Sequence, residues 1–198
     1  MEESQSIGRQ ADLKQGDVSS QDVSLRRTQV RDVYGNTVNL AQSGARAIHA
    51  TQATVKLGGV QTVEATEVQI RQGGAVRVQA ESVSISQGVA GMVQTDTLTM
   101  GAGGGVGVAL ADKVTLDQSA VQVLVARSDV KAEQSALAAV VAQSVKLDNS
   151  AVVFLAAQHV EGDVKPVFGP AAAAAFGVAF GTAAAIVWLL SRNVKRNP

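Results

Sequence analysis

Apolar and polar residues alternate in short bursts along most of this chain, and the bursts repeat. A three-residue unit, Val-x-Leu or a close variant, recurs at Val23–Leu25, Val38–Leu40, Val55–Leu57, Val68–Ile70, Val83–Ile85, Leu98–Met100, Val114–Leu116, Val130–Ala132 and Val145–Leu147. The steps between first residues are 15, 17, 13, 15, 15, 16, 16 and 15, and Val160 extends the series. The middle residue is polar (Ser24, Asn39, Gln69, Ser84, Thr115, Lys146). Apolar-polar-apolar is the period-2 signature of a strand that buries one face.

Turn-forming residues follow each unit, as in Gln72-Gly73-Gly74, Gln87-Gly88, Gln118-Ser119 and Asn149-Ser150. A second apolar run comes next (Ala75–Ala80, Val89–Val93, Val121–Ala126, Leu137–Ala142), and a short polar group closes the repeat. Each repeat therefore holds two strands and two turns in about 15 residues, too few for a pair of helices. The pattern predicts an all-β fold, a parallel β-solenoid (β-helix) of short rungs, each strand bonded to the same strand of the next rung. Eight or nine rungs at about 4.8 Å spacing give a rod of roughly 40 Å. The unequal steps of 17 and 13 read as a shifted turn near Leu57–Val60. Ala136–Ala142 and Ala151–Gln158 carry helix-favouring residues, but they fall in phase with the earlier rungs, and phase favours strand.

Pro166 and Pro170 end the repeat. Ala171–Leu190 then runs 20 residues without a charge, about 30 Å as a helix, the thickness of a bilayer core. Trp188 sits near one end and Arg192, Lys195 and Arg196 follow, as expected at a membrane interface. This predicts one C-terminal transmembrane α-helix, with Gly177 and Gly181 spaced for close helix packing. The expected organisation is an N-terminal cap or disordered segment over 1–22, the solenoid over 23–165, the membrane anchor over 166–190 and a basic tail over 191–198. The acidic, polar start Met1–Ser6 does not read as a secretory signal. A single-pass cell-membrane protein with a C-terminal anchor and a cytoplasmic solenoid is the expectation, although the positive-inside rule applied to the tail argues for the reverse orientation.

Composition narrows the chemistry. Seventeen basic and seventeen acidic residues cancel, so the clustered basic surface that a nucleic-acid partner needs is not expected. Aromatic residues make up 3% of the chain, which leaves Val, Ala, Leu and Ile to fill a thin, regular core. Without cysteine, thiolate nucleophiles and Cys metal sites are excluded. The two histidines, His49 and His159, lie seven rungs apart, about 34 Å by strand spacing, too far to share a metal. Asp112, Asp117, Asp129 and Asp148 sit at turns, where such side chains cap the backbone. The glycine-rich Gly101–Gly107 lacks the Gly-Lys-Ser/Thr ending of a phosphate loop and reads as a turn or bare strand. No cofactor, metal, catalytic group or small-molecule substrate is expected, and the chain reads as a non-enzyme.

One gradient stands out on the second strand of each rung. Outward positions expected at Ala75, Arg77 and Gln79 give way to Val121, Val123 and Val125, then to Leu137, Ala139 and Val141, then to Val152, Phe154 and Ala156. A large exposed apolar surface marks an interface, so Val121, Val123, Val125, Leu137, Val141, Val152 and Phe154 form a candidate interaction face. The repeated Val-x-Leu/Ile, Gly/Ser-turn, Val-x-Val pattern over Val23–Val164 resembles the bactofilins, polymer-forming bacterial cytoskeletal proteins with a right-handed β-helix core. The resemblance implies a self-associating scaffold, a homo-oligomer or polymer; the membrane helix is a departure from that family. The rival expectation is a non-polymeric, membrane-tethered binding module that presents a solenoid face to a protein or glycan.

Overall fold

The computed structural model describes residues 17–166. Strands follow one another as β1 (Val18–Ser19), β2 (Asp22–Arg26), β3 (Gln29–Ala41), β4 (Gly44–Lys56), β5 (Gly59–Arg71), β6 (Gly74–Ser86), β7 (Val89–Met100), β8 (Gly105–Asp117), β9 (Ala120–Ala126), β10 (Asp129–Glu133) and β11 (Ala136–Pro166). They pair in parallel within a single sheet. The chain coils through about nine turns of a parallel β-solenoid, and the solenoid unit extends to Val164. Ala136–Ala142 and Ala151–Gln158 are strand, not helix. The second half of β11 stacks on the first, since the Ala151 N–H donates to the Ser135 carbonyl at 2.9 Å.

Residues of one type stand in columns along the axis because every rung repeats the same register. The column Val38, Ala53, Val68, Val83, Leu98, Val114, Val130, Val145 is buried throughout, as is Leu40, Val55, Ile70, Ile85, Met100, Leu116, Ala132, Leu147. Here the structure corrects the sequence reading. The strand unit of the third rung is Ala53-Thr54-Val55, not Val55-Lys56-Leu57: Val38 pairs with Ala53 and Leu40 with Val55. The step of 15 is kept and there is no shifted turn near Leu57–Val60. Leu57 is instead an exposed turn residue with φ 55°. Ala53 supplies the inward methyl that a valine supplies elsewhere, and alanine is too neutral in propensity to announce it.

Every rung closes through one left-handed residue: Arg27, Gln42, Leu57, Gln72, Gln87, Gln118, Gln134 and Asn149 have φ between 46° and 54° or 55°. Gly103, at φ 75°, completes the series between Gln87 and Gln118. Thr28 follows Arg27, and glycine or serine follows each of the others. At Gly73 an added Cβ would sit 2.7 Å from the Gly58 carbonyl, so glycine is required there. At Ser43, Ser135 and Ser150 the hydroxyl accepts from the N–H one rung earlier and donates to a carbonyl two residues back. Ser43 Oγ accepts from Thr28 N (3.2 Å) and donates to Ala41 O (3.0 Å), and Ser135 Oγ accepts from Ser119 N (3.3 Å) and donates to Glu133 O (2.8 Å).

The two longer steps have separate causes. Gly105 pairs with Val89, 16 residues earlier, because the turn Gly101–Gly104 holds one residue more than its neighbours. Val130 pairs with Val114, also 16 earlier, while Ala126 still pairs with Ala111 at 15, so the second extra residue lies at Arg127–Asp129. The solenoid starts at Val18, five residues before the expected 23, because Val18 and Ser19 pair with Val33 and Tyr34. The predicted membrane segment Ala171–Leu190, with Gly177 and Gly181, lies outside the described residues.

Candidate interaction surface

Each rung has two arms. The second arm, typified by Glu67–Arg71, alternates strictly: Val68 and Ile70 are buried and Gln69 points outward. Its outward column stays polar along the described rod: Ser24, Asn39, Thr54, Gln69, Ser84, Thr99, Thr115, Lys131 and Lys146.

The first arm does not alternate. Val60 and Val63 are both fully or nearly buried, and the two residues between them face out. The ladder shows why. Ala45 pairs with Val60 and Ala47 with Thr62, stepping over Arg46 and Gln61. One residue per rung is set aside from the ladder, as in a bulge, and this re-aims the side chains on either side of it. The inward spacing becomes three instead of two.

This bulge divides the candidate face. Val123 (40% exposed), Val125, Val141 and Phe154 (59%) are on the surface. Val121, Leu137 and Val152 are not: they are 3%, 2% and 4% exposed and belong to the core column that begins at Val30. Ala75, expected outside, is buried in the same column. The physical reason is the period of three, which places the residue before the bulge inward. The surface also includes residues that the alternation had not singled out: Met92, Leu110 and Val153 are exposed. For Met92 and Leu110 the signal was present as a 15- or 16-residue offset, since Met92 and Val123 both pair with Val108, and Leu110 pairs with Val125.

The two outward columns of this arm thus change character along the axis. Toward the N-terminal rungs they hold Asp32, Tyr34, His49, Glu64, Arg77 and Gln79; from Met92 onward they hold Val108, Leu110, Val123, Val125, Val141 and Phe154. In the polar half, Tyr34 and His49 stack on adjacent rungs with ring centroids 5.0 Å apart and planes 9° from parallel. His49 Nδ1 lies 3.1 Å from Glu64 Oε2 on the next rung. Both side chains are well exposed, so the pair adds about 1 kcal/mol at most. Stacked side chains in register are a general device here: Gln72 Nε2 donates to Gln87 Oε1 (3.0 Å), Gln118 Nε2 to Gln134 Oε1 (3.2 Å) and Gln52 Nε2 to Glu67 Oε2 (3.2 Å).

His159 stands on the other arm, seven rungs from His49, and the two are not brought together. Asp112 faces Arg127 at 3.7 Å across one corner, while Asp117 and Asp129 lie exposed at strand ends and Asp148 lies exposed within β11. Among the described residues no three His, Cys, Asp or Glu side chains converge to hold a metal ion, and no helix is long and apolar enough to cross a membrane. The chain matches no family model, no curated protein and no solved structure.

Proposed function

We propose that this chain is a membrane-anchored structural or scaffolding protein that self-associates through its β-solenoid, as the polymer-forming bactofilins it resembles do. The observation that supports this most is the constancy of the rung. Rungs that share one register from Val23 to Leu147 offer similar hydrogen-bonding edges at their two ends, and unpaired strand edges recruit further strands unless they are covered. The charge-free segment Ala171–Leu190 would hold the rod at a bilayer, with the solenoid in the cytoplasm. No chemistry is assigned to the protein in this reading. The test is sedimentation velocity of the full chain in density-matched detergent over a range of concentrations. Species that grow with concentration support self-association; one sharp boundary at the mass of a single chain overturns it.

A second reading is favoured by one observation, the apolar half of the first arm from Met92 to Phe154. A non-polymeric, membrane-tethered module could use that surface to bind a protein or glycan. The single-boundary result would select it.

A further inference from the structure

We propose that successive copies join head to tail, with β1 and β2 of one copy laid on the last rung of the copy before it, so that Asp22 meets His159 and Val23 covers Val160. This rests on the self-association reading and specifies its junction. Among the described residues β1 and β2 pair only with β3, which leaves their other edge unpaired. At the opposite end the last rung is incompletely covered. Val160 continues the column Val23, Val38, Ala53, Val68, Val83, Leu98, Val114, Val130, Val145, in which every other member is 4% exposed or less. Val160 itself is 46% exposed.

The register says what fits above it. Continuing the step of 15 places Val23 of the next copy over Val160, and Val18 over Leu155, which is only partly buried. The same continuation sets Asp22 over His159, both exposed. Within the rod this column already makes such a contact: Gln52 on one rung donates to Glu67 on the next at 3.2 Å. A histidine below a carboxylate on adjacent rungs is likewise present, at His49 and Glu64, with the same polarity along the axis. The head-to-tail junction therefore repeats contacts that the rod uses internally. Head-to-head or tail-to-tail joining would set strands antiparallel and break the columns.

The absence of cysteine makes the junction directly testable in the full chain. Ser24 and Glu161 are exposed and occupy the column next to Asp22 and His159 on the same arm. Residues in adjacent parallel strands lie about 4.8 Å apart, within disulfide reach. Full-length Ser24→Cys and Glu161→Cys variants are purified separately in detergent, mixed and oxidised, with Thr99→Cys, from the middle of the same column, as the collision background. The expected result is a covalent dimer in the mixture, well above the Thr99→Cys background, with neither single variant dimerising alone. A dimer from Ser24→Cys alone or Glu161→Cys alone overturns the head-to-tail polarity. A mixture at background level while the chain still assembles overturns the junction and leaves self-association standing. A mixture at background level from a chain that does not assemble removes both.

Discussion

The left-handed turn column shows how single residues carry this fold. A non-glycine residue at φ near +50° gives up about 1 kcal/mol or more of backbone energy, and among the described residues the chain accepts this at eight positions. The glutamines recover part of it by hydrogen bonding along the axis. Leu57 recovers nothing of the kind and is 54% exposed. Leu57→Asn, which suits the left-handed region, is therefore expected to stabilise the solenoid by about 0.5–1 kcal/mol in denaturant titration, and a loss of stability would contradict the turn assignment. The serine column makes a paired prediction. Ser150 is fully buried; its hydroxyl accepts from Ser135 N (3.1 Å) and lies 3.0 Å from the carbonyls of Ala132 and Asp148. Ser119 Oγ is buried with no partner. Its acceptor role fails because the N–H below it, on Gly104, is turned to Gly101 O (3.0 Å) by the enlarged turn. Ser150→Ala should cost about 1–3 kcal/mol, and Ser119→Ala close to nothing or a small gain. Equal costs would refute the hydrogen-bond account. The sequence showed the turns but concealed which residue turned. Leu57 follows Val55 at strand spacing and reads as the end of a strand unit, whereas its φ of 55° and its exposure set it apart from the buried Val55.

At the level of the strand, the two arms differed in how much their pattern disclosed. The second arm alternates with period two, and its buried pairs were readable from the residues alone, the substitution of Ala53 aside. The first arm departs from period two at the bulged residue, so an alternating template put Val121, Leu137 and Val152 on the surface with their true outward neighbours. Four of the seven candidate residues lie on the surface and three in the core. The distinction gives a sharp experiment. Val121→Asp buries an unpaired charge and should destabilise by about 3 kcal/mol or more, lowering the melting temperature. Val123→Asp, two residues away, and Phe154→Asp place the charge in water and should leave the melting temperature nearly unchanged while reducing assembly if the apolar half-face contributes to it. Unfolding by Val123→Asp would place that residue in the core and reverse the assignment of the bulge.

For the whole molecule, the 15-residue step was the strongest signal in the sequence, because a repeat held over some nine turns averages out local ambiguities such as the alanine-rich segments of β11. The chemistry of assembly was less legible, since contacts between copies leave no period of their own within one chain. Two claims belong to this scale. The first is anchoring: the full chain should float with liposomes in a density gradient, and a chain truncated after Pro166 should remain at the bottom; flotation of the truncated chain would detach membrane binding from Ala171–Leu190. The second, self-association through the rod, is tested most directly by negative-stain electron microscopy of the full chain in detergent. The account predicts filaments of uniform width with an axial repeat of about 43–48 Å, the length of nine to ten rungs. Discrete single rods that persist at high concentration would contradict it.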